Sequence, residues 1–91
     1  MPRLESEFEK EVVRWVKEQG GMALKLKNEE RGFPDRTIIL PQGFIAFGEL
    51  KRAGTSSKKY HMQEVWVNTL KKFGFPAGFC ETLDEVKDLC R

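Results

Sequence analysis

Pro34-Asp35, then thirteen residues, then Glu49-Leu50-Lys51 is the spacing in this chain with the clearest chemical meaning. In a strand ending at Lys51, Ile45, Phe47, Glu49 and Lys51 share one face and Phe44, Ala46, Gly48 and Leu50 the other. Both faces are largely apolar upstream, so this strand is expected to be central and buried. A carboxylate and an ammonium at the end of such a strand are costly to desolvate unless paired or bound to metal. A hairpin with the preceding strand brings Asp35 beside Glu49, and two converging carboxylates repel until a divalent cation joins them. Hard oxygen donors of this kind suit Mg2+ or Mn2+, which polarises a phosphate, acidifies a bound water and stabilises a leaving oxygen. Lys51 is then placed to orient the water and offset charge on the phosphorane. The ordinary alternative is a Glu49–Lys51 ion pair on one strand face, with Asp35 a turn acid after proline. Spacing alone leaves both readings open.

The elements that must position these groups can be read in order. Leu4 to Gln19 predicts a helix, with Leu4, Phe8, Val12, Trp15 and Val16 at helical spacing, ended by Gly20-Gly21. Met22 to Lys27 alternates as a half-buried strand, and Asn28 to Pro34 is a polar turn region. Arg36 to Leu40 and Phe44 to Lys51 are strands joined by Pro41-Gln42-Gly43 into a hairpin. Lys51 to Lys59 is a basic, exposed loop. Tyr60 to Phe73 predicts a second helix with Met62, Val65, Trp66, Leu70 and Phe73 on one face, ended by Gly74 and Pro76. Pro76 to Cys80 is a short strand, and Thr82-Leu-Asp-Glu85 is a capping-box opening for a last helix burying Leu83, Val86 and Leu89. The order αβββαβα is an α/β layer architecture, a mixed sheet flanked by helices.

With these elements in place, the chain resembles the VRR-NUC (virus-type replication-repair nuclease) branch of the PD-(D/E)XK superfamily. The resemblance rests on G-F-P-D-R at Gly32 to Arg36, F-G-E-L-K at Phe47 to Lys51 and the downstream Gln63. It continues through E-S-E-F-E-K near the N-terminus, Gly20-Gly21 with Lys25, and Leu70-Lys-Lys-Phe-Gly74, covering roughly residues 4–85 in the family's order. It implies a small restriction-endonuclease-like fold in a stand-alone, phage-type member. It also implies metal-dependent endonuclease activity, with branched DNA such as a Holliday junction as substrate, a role in DNA repair, and a homodimer. A homodimer would supply two sites for cutting two strands.

The family's metal site includes a glutamate on the first helix. Glu5 and Glu9 both fall on the side of Phe8, Val12 and Val16. The family's pattern favours Glu5, whereas Ser6-x-x-Glu9 is itself a capping box that gives Glu9 a structural explanation. The implied metal ligands are therefore Asp35, Glu49, Glu5 (with Glu9 next) and the carbonyl of Leu50. Gln63 lies beside Val67 and Leu70 at the edge of the second helix's apolar face. It is a core-edge glutamine by position and an active-site residue by resemblance. Lys25 takes a phosphate contact by the same resemblance, and Arg36, projecting opposite Asp35, has a less defined role. Arg52, Lys58 and Lys59 are either solvated loop charge or attachment points for the sugar-phosphate backbone. His61 reads as surface, and Trp15 and Trp66 as core.

Composition frames this reading. Ninety-one residues make one domain, 1–91, and 40% apolar with 33% charged residues argues against disorder. The net charge of +2 is unevenly spread. Residues 22–75 carry ten basic and five acidic groups, against four and five before them and two and four after. A polyanion is best received by the middle of the chain. No apolar run approaches the roughly 20 residues of a membrane span, and MPRLESEFEK lacks the apolar core of a secretory signal. A cytoplasmic location, in a bacterial or phage-infected cell, is expected, with Cys80 and Cys90 as reduced thiols. Two rivals remain: a non-catalytic DNA-binding module on a nuclease scaffold, and a nuclease subunit cutting linear duplex. Converging acids argue against the first, since without metal they repel DNA. The absence of any recognisable base-reading module argues against the second.

Overall fold

The hairpin demanded by the Asp35–Glu49 spacing is present. A computed structural model describes residues 6–26, 30–51 and 61–91. The elements are α1 (Glu7–Glu18), β1 (Met22–Leu24), β2 (Arg36–Leu40), β3 (Phe44–Leu50), α2 (His61–Lys72), β4 (Ala77–Cys80) and α3 (Leu83–Leu89). They follow the expected αβββαβα order. The four strands form one mixed sheet in the order β1-β2-β3-β4, antiparallel except for the parallel β3–β4 pair. β3 is internal, as its two apolar faces require. A tight turn at Pro41–Gly43 joins β2 to β3, with Gln42 at φ 71° and Gly43 at φ 77°.

Alternation along the strands sends the two faces to different helices. Ile38, Ala46, Leu50 and Cys80 join Val12 and Val16 of α1 and Val86 of α3 in one core. On the other face Phe47, Phe79 and Ala77 meet Val67 and Leu70 of α2, with Phe33 closing the layer. Phe33 packs edge-on against Phe47 (5.6 Å between ring centroids) and Trp66 (5.2 Å). The Trp66 indole donates to the Arg31 carbonyl at 3.1 Å, so the segment leading to Asp35 is anchored on α2. Among the described residues, no helix is long and apolar enough to cross a membrane. Both cysteines are free thiols. Burial, helped by the nearby charges of Glu85, Cys90 and Asp35, pushes the Cys80 thiol up to about 12.

Three expectations need correction. The first helix opens at Glu7 rather than Leu4, because Ser6 caps it: its hydroxyl accepts from the Glu9 N–H at 3.1 Å. β1 stops at Leu24 rather than Lys27. It has one neighbour, and their pairing ends at Leu24↔Thr37. The buried face of α2 is Val67 and Leu70, while Met62, Val65 and Phe73 are exposed. Apolar residues on this helix cover more than one stripe. The aromatic layer formed by Phe33, Phe47 and Phe79 selects the stripe that faces inward.

Candidate active site

Pairing between β2 and β3 runs from Leu40↔Phe44 to Arg36↔Gly48. One step further lie Asp35 and Glu49, whose side chains therefore share a face. Their positions are locked reciprocally. The Leu50 N–H donates to Asp35 Oδ1 at 3.0 Å, and the Asp35 N–H donates to Glu49 Oε1 at 3.2 Å. One oxygen of each carboxylate is thus held by the backbone. Asp35 Oδ2 and Glu49 Oε2 accept no hydrogen bond among the described residues.

Glu49 is only 8% exposed. Burial, with the adjacent charge of Asp35, pushes its carboxyl up to about 7, against the pull of the Asp35 N–H. Burial also raises Asp35; the Leu50 N–H opposes this and the charge of Glu9 adds to it. Both groups favour a proton at this spot. A divalent cation meets the same demand with two charges, and two carboxylates are the hard donors it prefers. The pair fits a Mg2+-type ion.

Glu9 approaches from α1. Its Oε2 lies 3.4 Å from Arg36 Nη2 and 3.5 Å from Lys25 Nζ. Burial is the largest influence on this carboxyl and raises it. Lys25, the Ser6 N–H and Arg36 together outweigh burial, and the net shift is downward. Arg36, 4% exposed, also donates from Nη1 to the Ala23 carbonyl at 3.2 Å. Its projection away from Asp35 thus has a purpose: it draws the α1 carboxylate to the sheet edge. Among the described residues no group of three or more His, Cys, Asp or Glu closes around one point. Glu9 therefore stands beside the Asp35–Glu49 pair without completing it, while Glu5 lies outside the described residues.

Lys51 leaves the end of β3 with its N–H bonded to the Cys80 carbonyl at 3.0 Å. Its ammonium lies 5.2 Å from the centroid of the Phe79 ring and 4.0 Å from Glu81 Oε1. Neither Phe79 nor Glu81 is apparent from sequence as a neighbour of the centre. Their proximity follows from the parallel β3–β4 register, which makes Phe79 the partner of Glu49. No local pattern announces that register.

No family model matches the chain. Among solved structures, one described as a VRR_NUC domain has the same fold, with a TM-score of 0.71 and 28% identity, covering 90% of this chain and 88% of that one. The protein named "Putative nuclease p44" of Acyrthosiphon pisum secondary endosymbiont phage 1 is 39% identical over 61 residues. The match spans 66% of this chain and 66% of that protein. The chain belongs to the VRR-NUC family.

The remaining site residues of this VRR-NUC domain divide into two groups. Lys25 joins the centre through Glu9, and its charge lowers Asp35. Gln63, half-buried in the first turn of α2, stands one turn before Val67, and its side chain makes no hydrogen bond among the described residues. The loop delivering Asp35 comes against that turn. A Cβ at Gly32 would lie 2.5 Å from Met62 Cβ and 3.1 Å from the Gln63 nitrogen, and Gly32 has φ +85°. Leu50 takes part through its N–H, with its side chain in the opposite core. Arg52, Lys58 and Lys59 lie outside the described residues. His61 is exposed at the start of α2, as expected. Trp15 and Trp66 are half-buried, each packed against a core.

Proposed function

We propose that the domain is a nuclease that hydrolyses DNA phosphodiesters with Mg2+ or Mn2+, acting as an endodeoxyribonuclease on branched substrates. The observation that carries this reading is the Asp35–Glu49 pair: two carboxylates fixed by reciprocal backbone hydrogen bonds, one raised to about 7. A structural ion pair would have a cation already in place between them. The pair instead favours uptake of positive charge.

Asp35 and Glu49 would hold the ion, with Glu5 or Glu9 from the N-terminal region and the Leu50 carbonyl as further donors. Bound there, a divalent metal supplies Lewis-acid polarisation of the phosphate and a water acidic enough to attack at neutral pH. Lys51 turns its ammonium to the phosphate, orienting the attacking water and offsetting charge on the non-bridging oxygens. Gln63 donates to the water or a phosphate oxygen. Lys25 holds a neighbouring phosphate, and Arg52, Lys58 and Lys59 supply sequence-independent attachment. Two copies related by a two-fold axis would set two such centres on the two strands of a junction.

Asp35→Asn tests the reading because it removes one negative charge at nearly constant volume. Metal affinity and cleavage are expected to collapse together, while metal-free DNA binding holds or improves. Lys51→Ala should retain metal binding but slow the chemical step. Wild-type cleavage rates in Asp35→Asn, or robust cleavage after complete chelation, would reject the centre. DNA binding without cutting of any junction, flap or duplex under any divalent metal would instead favour a binding module.

A further inference from the structure

An open groove of about 330 Å³ lies between α2 and β4, with Lys51 on its wall. Its floor is the ring of Phe79 beside Val67, and its rim carries Glu64, Asn68 and Lys71. Those three rim residues recur at i, i+4 and i+7 on α2 and so form one stripe along the groove. We infer that this groove is a subsite for a single unstacked nucleobase next to the scissile phosphate. This inference rests on the nuclease reading and specifies its substrate as DNA with an unpaired nucleotide at the cut.

Three observations converge on it. The first is position. Phe79 is the register partner of Glu49 on the neighbouring strand and shares its face. Adjacent strands lie about 4.8 Å apart, so a base on this ring belongs to a nucleotide at or beside the phosphate held by the carboxylates. The second is size. A volume near the lower end of ligand pockets, which run from about 300 to 1,000 Å³, suits one base rather than a stacked pair. A base inside a continuous duplex stack cannot present its face to a concave floor. The third is chemistry. An aromatic floor stacks any base, Asn68 and Glu64 offer donor and acceptor atoms to a base edge, and Lys51 and Lys71 meet flanking phosphates. The Lys51 ammonium now lies over the Phe79 ring, so a base stacking there displaces it.

The test uses the whole chain with an oligonucleotide duplex bearing one unpaired 2-aminopurine. A matched duplex carries an abasic nucleotide at the same position, and binding is measured in Ca2+. Wild type should quench 2-aminopurine fluorescence and bind the base-bearing duplex about tenfold more tightly than the abasic one. Phe79→Leu, verified as folded by its circular dichroism melt, should remove both the quenching and the preference. Lys71→Ala, on an exposed helix position, should weaken both duplexes equally and leave the preference intact. Equal affinity of wild type for the two duplexes, or no quenching, overturns the subsite. Cleavage in Mg2+ is scored separately. Base preference without cleavage sinks the nuclease reading and with it the place beside a scissile phosphate, leaving a base-binding groove; cleavage without preference sinks the groove alone.

Discussion

Glu49 and Arg36 sit on opposite faces of the sheet, and each makes the charge on its own face conditional. Raising Glu49 from 4.5 to about 7 means that the folded, metal-free chain binds a proton which the unfolded chain releases. Between about pH 4.5 and 7 the native state therefore holds more protons, and stability falls as pH rises through that window. The loss approaches about 3 kcal/mol at 1.36 kcal/mol per pKa unit. Denaturant midpoints in EDTA should drop from pH 5 to pH 8. Glu49→Gln should flatten the drop, and Mg2+ should restore wild-type stability at pH 8 without affecting the variant. A wild-type midpoint that does not move with pH would contradict the shift.

Arg36 works in the other direction, holding an ionised Glu9 where little solvent reaches. Arg36→Met leaves that carboxylate without its buried partner and should cost about 2–4 kcal/mol. Arg36→Lys should recover only part of this, because one ammonium does not reproduce a fork that reaches both Glu9 and the Ala23 carbonyl.

At the scale of elements, how legible each part was follows from the range of the interaction that built it. The hairpin was readable because its turn and both alternating strands lie within residues 36–50, and the Asp35–Glu49 pair came with it. The α1 boundary was readable in principle from Ser6 and Glu9, since the capping-box pattern marks Ser6 as the cap. The inward face of α2 was not, because apolar side chains surround much of that helix and only the Phe33–Phe47–Phe79 layer decides among them. The parallel β4 partner of Glu49 was equally hidden, and Phe79 and Glu81 with it. Helix capping and loop packing can be separated by experiment. Ser6→Ala should cost about 1 kcal/mol of stability with little effect on catalysis in the surviving fold. Gly32→Ala must accommodate a positive φ and a collision with Met62. It should lower cleavage well beyond what its melting temperature explains, because the displaced loop carries Asp35. Equal activity in the two variants at matched folded fraction would show that the loop position is slack.

Across the whole chain, basic groups outnumber acidic ones only in the middle, the part that carries Asp35 and Glu49. The excess of ten basic over five acidic groups in residues 22–75 includes Lys25 beside the centre and the Arg52, Lys58 and Lys59 segment. Replacing those last three with alanine should weaken binding to all sequences alike. The slope of log affinity against log salt should fall by up to about 0.9 per lost phosphate contact. Unchanged affinity and slope would mark the segment as merely solvated.

The hydrogen bonds that tie Asp35 to Glu49 and to Leu50 also bear on how the chain reaches its final form. Asp35 and Glu49 are fourteen apart in sequence, whereas Glu49 and Phe79 are thirty apart and meet only after α2 has crossed over the sheet. Closing the shorter loop costs less entropy, so the hairpin is expected to form ahead of the β4 pairing. An early folding event then presses two carboxylates together before any groove exists beside them. Divalent cation or mild acid should therefore speed refolding as well as stabilise the product, and stopped-flow refolding in EDTA and in Mg2+ would read this as a difference in the folding limb. The feature that prepares the domain to cut would then also set the pace at which it is made.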